Sequence, residues 1–179
     1  MMSYHLRFCM GSKSDWLMGN VFLKLMKELG IRVHPSIASC HWSAGNDYTE
    51  FCFNISENII VVMGGMSLAA PGTIESMIRN FKEFGMIVFG IPLDEAALSA
   101  IQDLPPGIPV MTCGLNKKDV RASITNAALA IARIIGRDDS NVQEKIAEYY
   151  AKKKKEKGIV EKIQLNKDGL ISEPKKRDI

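Results

Sequence analysis

Two short segments hold the residue types that do chemistry. Gly11-Ser12-Lys13-Ser14-Asp15 joins a glycine, two hydroxyls and a carboxylate directly after an apolar run, and Ser39-Cys40-His41-Trp42 carries a histidine among small polar residues. The first can turn backbone N–H groups and hydroxyls toward an anion at a helix N-terminus, with Asp15 accepting from sugar hydroxyls. Read more plainly, Ser14 or Asp15 is a helix cap. The segment is neither a Walker A loop nor a G-x-G-x-x-G fingerprint, so neither ATP nor a dinucleotide is implied. Imidazole exchanges protons near neutral pH, which suits a histidine on a loop to proton transfer; His5 and His34 fall within strands. Cys40 is the weaker candidate, because neighbours on an extended segment point apart and no base is evident for it. No spacing of His, Cys and carboxylates makes a convincing metal site. A third segment, Gly64-Gly65-Met66-Ser67-Leu68-Ala69-Ala70-Pro71-Gly72, is rich in small residues. It can let backbone approach a small planar ligand, or simply turn tightly into a helix.

These segments need elements to position them. His5–Met10 reads as a strand, followed by a helix whose apolar positions Leu17, Val21, Leu25 and Leu29 recur at helical spacing and which Gly30 closes. Ile31–Ala38 reads as a second strand, with Pro35 marking an edge or a bulge. Asp47–Ile55 reads as a helix. Ile59–Met63 is a continuous apolar run of the kind buried on both faces of a parallel sheet. Pro71 suits the first turn of a helix running to about Glu83. Met86–Ile91 and Val110–Gly114 read as fourth and fifth strands, with a short helix over Asp94–Gln102 between them. Asp119–Ile135 is an alanine-rich apolar helix and Asn141–Lys157 a charged one, with a tail beyond Gly158. Strand and helix in alternation imply α/β architecture, an open parallel sheet covered on both faces. Ligands then bind beyond the carboxyl ends of the strands, which selects the loops Gly11–Asp15, Ser39–Asn46 and Gly64–Gly72, with Pro92–Ser99 after the fourth strand.

The 179 residues suffice for one domain with a full core, and 46% hydrophobic content fits a globular chain. The organisation expected is an α/β domain over residues 1–136 and a charged helix and tail over 137–179. Residues 1–136 are electrically neutral, so the whole net charge of +3 lies in the remainder, including the Lys152–Lys155 run. A neutral body has no basic stripe for nucleic acid, and the charged helix reads as a solvated face. No apolar run reaches membrane-spanning length and no signal-peptide pattern opens the chain. Cys9, Cys40, Cys52 and Cys113 form no Cys-x-x-Cys pair and read as reduced thiols, so a cytoplasmic location is expected.

Taken in order, the motifs resemble a known family. They are Gly11-Ser12-x-Ser14-Asp15-Trp16, the Ser-x-His of Ser39–His41, the small-residue loop ending in Pro71-Gly72, Gly90-Ile91-Pro92, Ala97-Leu98-Ser99, Leu104-Pro105-x-Gly107-Ile108-Pro109-Val110 and Asn126-Ala127-Ala128. Residues 5–136 look like the PurE family of purine biosynthesis, which comprises aminoimidazole ribonucleotide carboxylases and N-carboxyaminoimidazole ribonucleotide mutases. The resemblance implies a flavodoxin-like three-layer sandwich with a C-terminal helix, a homo-octamer with sites between subunits, and no metal or cofactor. It implies carboxyl transfer on a small ribonucleotide, with carbon dioxide captured by or released from C4 of the imidazole. His41 matches the histidine that moves the C4 proton. Ser12, Ser14 and Asp15, with Gly11 and Ser39 nearby, match the ribose-phosphate cradle. Gly64, Gly65, Met66, Ser67 and Ala69 fall on the loop that lines the carbon dioxide pocket.

Three departures bear on substrate. The family's Ser-Ala-His-Arg ends here in Trp42, whose indole has one donor and no charge and cannot replace a bidentate guanidinium. The family's second histidine is Ala69. Its Gln-Ser-Lys is Asp94-Glu95-Ala96, so a lysine is lost and two carboxylates appear, making the pocket less welcoming to anions. A cation such as Lys13, or one from a neighbouring subunit, would restore the balance. Two other readings follow: decarboxylation of a different heteroaromatic acid, with Trp42 stacking on its ring, or a catalytically silent oligomeric binding module.

Overall fold

A computed structural model describes residues 5–42 and 58–157. The expected helix over Asp47–Ile55 lies outside the described residues. Four strands are described, β1 (His5–Met10), β2 (Arg32–Ile37), β3 (Ile59–Gly64) and β4 (Ile87–Pro92), all parallel in the order β2-β1-β3-β4. The helices are α1 (Trp16–Glu28), α2 (Ala70–Phe81), α3 (Glu95–Gln102), α4 (Val120–Gly136) and α5 (Ser140–Lys157). Central β3 is buried at every position, as a β-branched run between two helical layers must be. Edge strand β2 tolerates Pro35 opposite Phe8, because a proline cannot donate to a second neighbour.

Alternating side chains of the sheet feed two cores. Cys9, Ile60, Val62 and Val88 pack with Ile74 and Ile78 of α2 and Ala97 and Ile101 of α3. On the opposite face Phe8 stacks on Phe22 with ring centroids 4.6 Å apart, and α1 packs beside α4. Of the expected apolar positions, Leu25 and Leu29 at the end of α1 are buried, but the helix is rotated enough that Gly19, Phe22 and Met26 share that stripe while Val21 is half-buried and Leu17 is 65% exposed. Gly19 sets this rotation: a Cβ there would run into the Met10 thioether and lie 3.3 Å from the Phe8 ring.

The expected fifth strand shrinks to one bridge. Met111 donates to Val88 (2.9 Å) and accepts from Gly90 (2.8 Å). Pro109 has no N–H to offer and Gly114 turns away at φ 72°, so the ladder stops there. Packing divides the chain into Met1–Ile146 and Ala147–Ile179. In the first unit, Val142 and Ile146 each approach to 3.4 Å of where a Gly136 Cβ would stand, which keeps the start of α5 with the body. In the second, Tyr149 and Tyr150 meet edge to face at 5.7 Å. None of the described helices is long and apolar enough to cross a membrane.

Glu75, on the buried side of α2, is only 8% exposed and has no hydrogen-bond or ion-pair partner among the described residues. Burial pushes its carboxyl above the usual range, since losing the proton there leaves an uncompensated charge. The native state then holds this proton more tightly than the unfolded chain, so stability falls as pH rises from the ordinary glutamate range through the raised value. Glu75→Gln is expected to abolish that decline and to melt higher than wild type at neutral pH. Thermal melts of both proteins at pH 4 and pH 7 check it, and a difference that does not grow with pH would refute the assignment.

Candidate active site

β1 is followed by a crossover to β2 on one side, while β3 leads to β4 on the other. The chain therefore splays apart above the carboxyl ends of β1 and β3, leaving a crevice at the switch point. Three loops leave the sheet at the same level because the ladder runs just past each strand. Gly11 N donates to Met63 O (3.0 Å), Ala38 N to Met10 O (3.0 Å) and Leu93 N to Gly64 O (2.9 Å).

The first loop winds into a 3-10 turn, Lys13–Asp15, before α1. Ser12 caps this turn, while Asp15 stands at the N-cap position of α1, one of the two positions expected, without a side-chain cap bond there. Ser12 Oγ accepts from Ser14 N (3.2 Å) while Asp15 Oδ2 accepts from Ser12 N (3.0 Å), a complete capping box. Asp15 is the third residue of this turn, so its carboxylate folds back onto the loop and cannot cap α1 by its side chain. Ser14 Oγ donates to Ser12 Oγ (3.0 Å), which leaves the Ser12 hydroxyl proton available to a ligand. Desolvation raises the Asp15 carboxyl above the usual range; the Ser12 N–H opposes this and the Asp94 charge adds to it.

The second loop is a turn rather than an extended segment, closed by Trp42 N donating to Ser39 O (3.1 Å). That geometry brings Cys40 and His41 to the same cavity, with Sγ 3.8 Å from His41 Nδ1. Cys40, set aside from sequence because neighbouring side chains were expected to diverge, thus has an imidazole within reach. Burial raises its thiol, and pushes Cys9 beneath the loop up to about 11, so both hold their protons at neutral pH and neither serves as a thiolate nucleophile.

The third loop carries a non-glycine residue in left-handed conformation, Met66 at φ 55°. Leu68 N bonds Met66 O (3.0 Å) and Ala69 N bonds Ser67 O (2.8 Å), successive tight turns that lead into α2. A Cβ on Gly64 would meet Leu68 Cδ1 at 3.0 Å, and one on Gly65 would meet Asp94 Oδ2 at 2.5 Å. Asp94 and Glu95 do not confront a ligand as loose charges. Asp94 accepts from Met66 N (2.7 Å) and Ala97 N (2.8 Å), and Glu95 pairs with Lys117 at 2.7 Å on the surface.

The three loops enclose one open cavity of about 410 Å³. Gly11, Ser12, Ser14 and Asp15 line one side, Ser39, Cys40 and His41 a second, and the segment Gly64–Ala70 a third. Every residue expected at the site faces this space except Trp42, which is 93% exposed and outside the lining. Leu68 lines the wall with the rest of its expected loop, whereas Ala38 lies outside the expected loops; nothing in an alanine marks it as lining before the turns are known.

The fold defines an α/β protein of flavodoxin-like topology with an open cavity at the switch point. Residues 5–156 match the AIR carboxylase family, to which the chain belongs. It is 29% identical over 152 residues to the N5-carboxyaminoimidazole ribonucleotide mutase of Methanocaldococcus jannaschii, covering 82% of this chain and 88% of that protein. The Escherichia coli K12 protein of the same name is 28% identical over 149 residues, covering 78% and 82%. Saccharomyces cerevisiae phosphoribosylaminoimidazole carboxylase is 28% identical over 151 residues, 82% of this chain but 25% of the yeast protein. Among solved structures, a Treponema denticola PurE2 variant superposes with a TM-score of 0.70 at 18% identity, covering 87% of this chain and 94% of that one. Treponema denticola PurE gives 0.65 at 18% identity over 85% and 92%. At that identity the likeness establishes the fold.

Because Ser12 holds the capping box together, Ser12→Ala is expected to cost about 1 kcal/mol of folding stability, the usual value of a lost N-cap hydroxyl. Urea unfolding monitored by circular dichroism measures it. An unchanged midpoint would mean that the box contributes nothing.

Proposed function

We propose that the chain is a carboxyl-transfer enzyme of purine biosynthesis acting at C4 of aminoimidazole ribonucleotide. The observation that carries this reading is the sharing of one cavity by a hydroxyl cradle, a lone histidine and a wall of small residues. In the carboxylating direction the C4 carbon bonds to carbon dioxide and its proton passes to His41. In the reverse direction His41 returns the proton as the C4–carboxyl bond breaks. The relatives' names support both the carboxylase and the mutase form, the latter drawing its carbon dioxide from the N5-carboxyl group. Ser12, Ser14 and Asp15 bind the ribose-phosphate end, with Ser39 beside them. Gly64–Ala69 closes around carbon dioxide, where excluding water matters more than a strong nucleophile. One positioned proton shuttle then suffices. We further infer an octameric assembly with sites between subunits, nucleotide binding, and a cytoplasmic location.

A specific observation favours a second reading. Among the described residues no Lys or Arg lines the cavity, and the sequence carries neither from residue 33 to residue 78, a span that includes the whole second and third loops. A phosphate there meets, among the described residues, hydroxyls, backbone N–H groups and one imidazole, and no lysine or arginine. A heteroaromatic acid without the phosphate avoids that cost.

Carbon dioxide release from 4-carboxyaminoimidazole ribonucleotide, wild type against His41→Asn, tests the first reading. Loss of about 100-fold or more in kcat with the assembly mass unchanged by light scattering is expected for a proton shuttle. Turnover surviving in the variant would remove His41 from the mechanism. Thermal-shift titration with the phosphorylated and dephosphorylated forms separates the two readings, since stabilisation by the phosphorylated form alone refutes the second.

A further inference from the structure

Met66 and Lys82 are the non-glycine residues with positive φ among those described, and they differ in setting. Lys82 ends α2, where a left-handed residue routinely closes a helix. Met66 sits on the cavity wall, 78% exposed, with no helix to terminate. A left-handed backbone is unfavourable for an L-residue and persists only where surrounding contacts over-determine it. Those contacts converge on one carboxylate. Asp94 Oδ2 accepts from Met66 N (2.7 Å), while Oδ1 accepts from Ala97 N (2.8 Å) in the first turn of α3. The approach is close enough that Gly65 admits no side chain, since a Cβ there would stand 2.5 Å from Oδ2. Asp94 is half-buried and, unlike Glu95 beside it, has no cationic partner among the described residues; both its oxygens are committed to backbone N–H groups.

We propose that Asp94 is a positioning residue of this site, one whose two carboxylate oxygens clamp the Gly65–Met66 turn to the start of α3. The clamp holds Met66 left-handed, which sets the path of the segment Gly64–Ala70 along one wall of the cavity. A carboxylate is required because two N–H groups approach from different elements and each needs its own acceptor. Serine satisfies the helix cap alone, and asparagine has a single oxygen to divide between two donors. Only the kinetic readout of this inference rests on the carboxyl-transfer reading; the clamp itself does not.

The test uses the full chain and three variants: Asp94→Ser, Met66→Gly and the double substitution. Asp94→Ser keeps the cap of α3, so its melting temperature is expected within about 4 °C of wild type. Amide hydrogen exchange at Met66 is slow in wild type and fast in Asp94→Ser. With 4-carboxyaminoimidazole ribonucleotide, kcat falls about tenfold while KM stays within about twofold, since the loop shapes the reacting end of the cavity rather than the cradle. In the Met66→Gly background the left-handed turn no longer needs clamping, so adding Asp94→Ser costs less than about threefold. Unprotected exchange at Met66 in wild type would overturn the clamp. An equal cost of Asp94→Ser in both backgrounds, or a kcat loss that tracks loss of folded protein, would overturn the positioning role. If wild type does not turn this substrate over, the functional reading fails by itself and the exchange measurement still decides the clamp.

Discussion

The pairing of β1 with β3 is the constraint on which the site depends. These strands are far apart in the chain yet adjacent in the sheet, and the chain leaves them toward opposite sides. The Gly11 N to Met63 O bond continues their ladder one step beyond the strands. It brings the Ser12–Asp15 turn against the glycine-rich loop, with Asp15 Oδ2 lying 3.6 Å from the place of a Gly11 Cβ and 3.7 Å from that of a Gly64 Cβ. Without that step the hydroxyls and the small-residue wall would not share a cavity.

The cavity so formed is polar but poor in charge. Its acceptors and donors are hydroxyls, backbone N–H groups, one imidazole and one carboxylate, and the carboxylate is partly desolvated. The two nearby thiols stay protonated because burial disfavours their anions. The second and third loops are free of lysine and arginine in sequence, which keeps cationic side chains out of those two walls.

Much of this architecture was legible from local pattern. The Ile59–Met63 run announced a strand covered on both faces, and Pro35 announced an edge; both are local consequences of side-chain shape and missing donors. That Ser12, Asp15 and His41 share a cavity was legible because the alternation of strands and helices dictates which loops gather beyond the carboxyl ends of the strands. Other features were not. The stripe of α1 was displaced because contact with Met10 and Phe8 determines its rotation, and helical spacing alone admits several faces. Val110–Gly114 has strand-like composition, but the missing donor at Pro109 and the turn at Gly114 leave a single bridge. The placement of Cys40 beside His41 on one cavity was not legible because a turn, not an extended segment, carries it.

By itself the sequence determined the order of the elements, the parallel sheet, the three loops at its carboxyl edge and the family, since periodicity, caps and ordered motifs are local properties of the chain. Only the tertiary structure decided what the carboxylates do. Asp94 reads in sequence as an added negative charge beside the pocket. In the fold, a backbone N–H from a loop 28 residues away turns it into the acceptor that holds Met66. Hydrogen-bond partners that distant are set by how the sheet brings β3 and β4 together, and no local pattern encodes them.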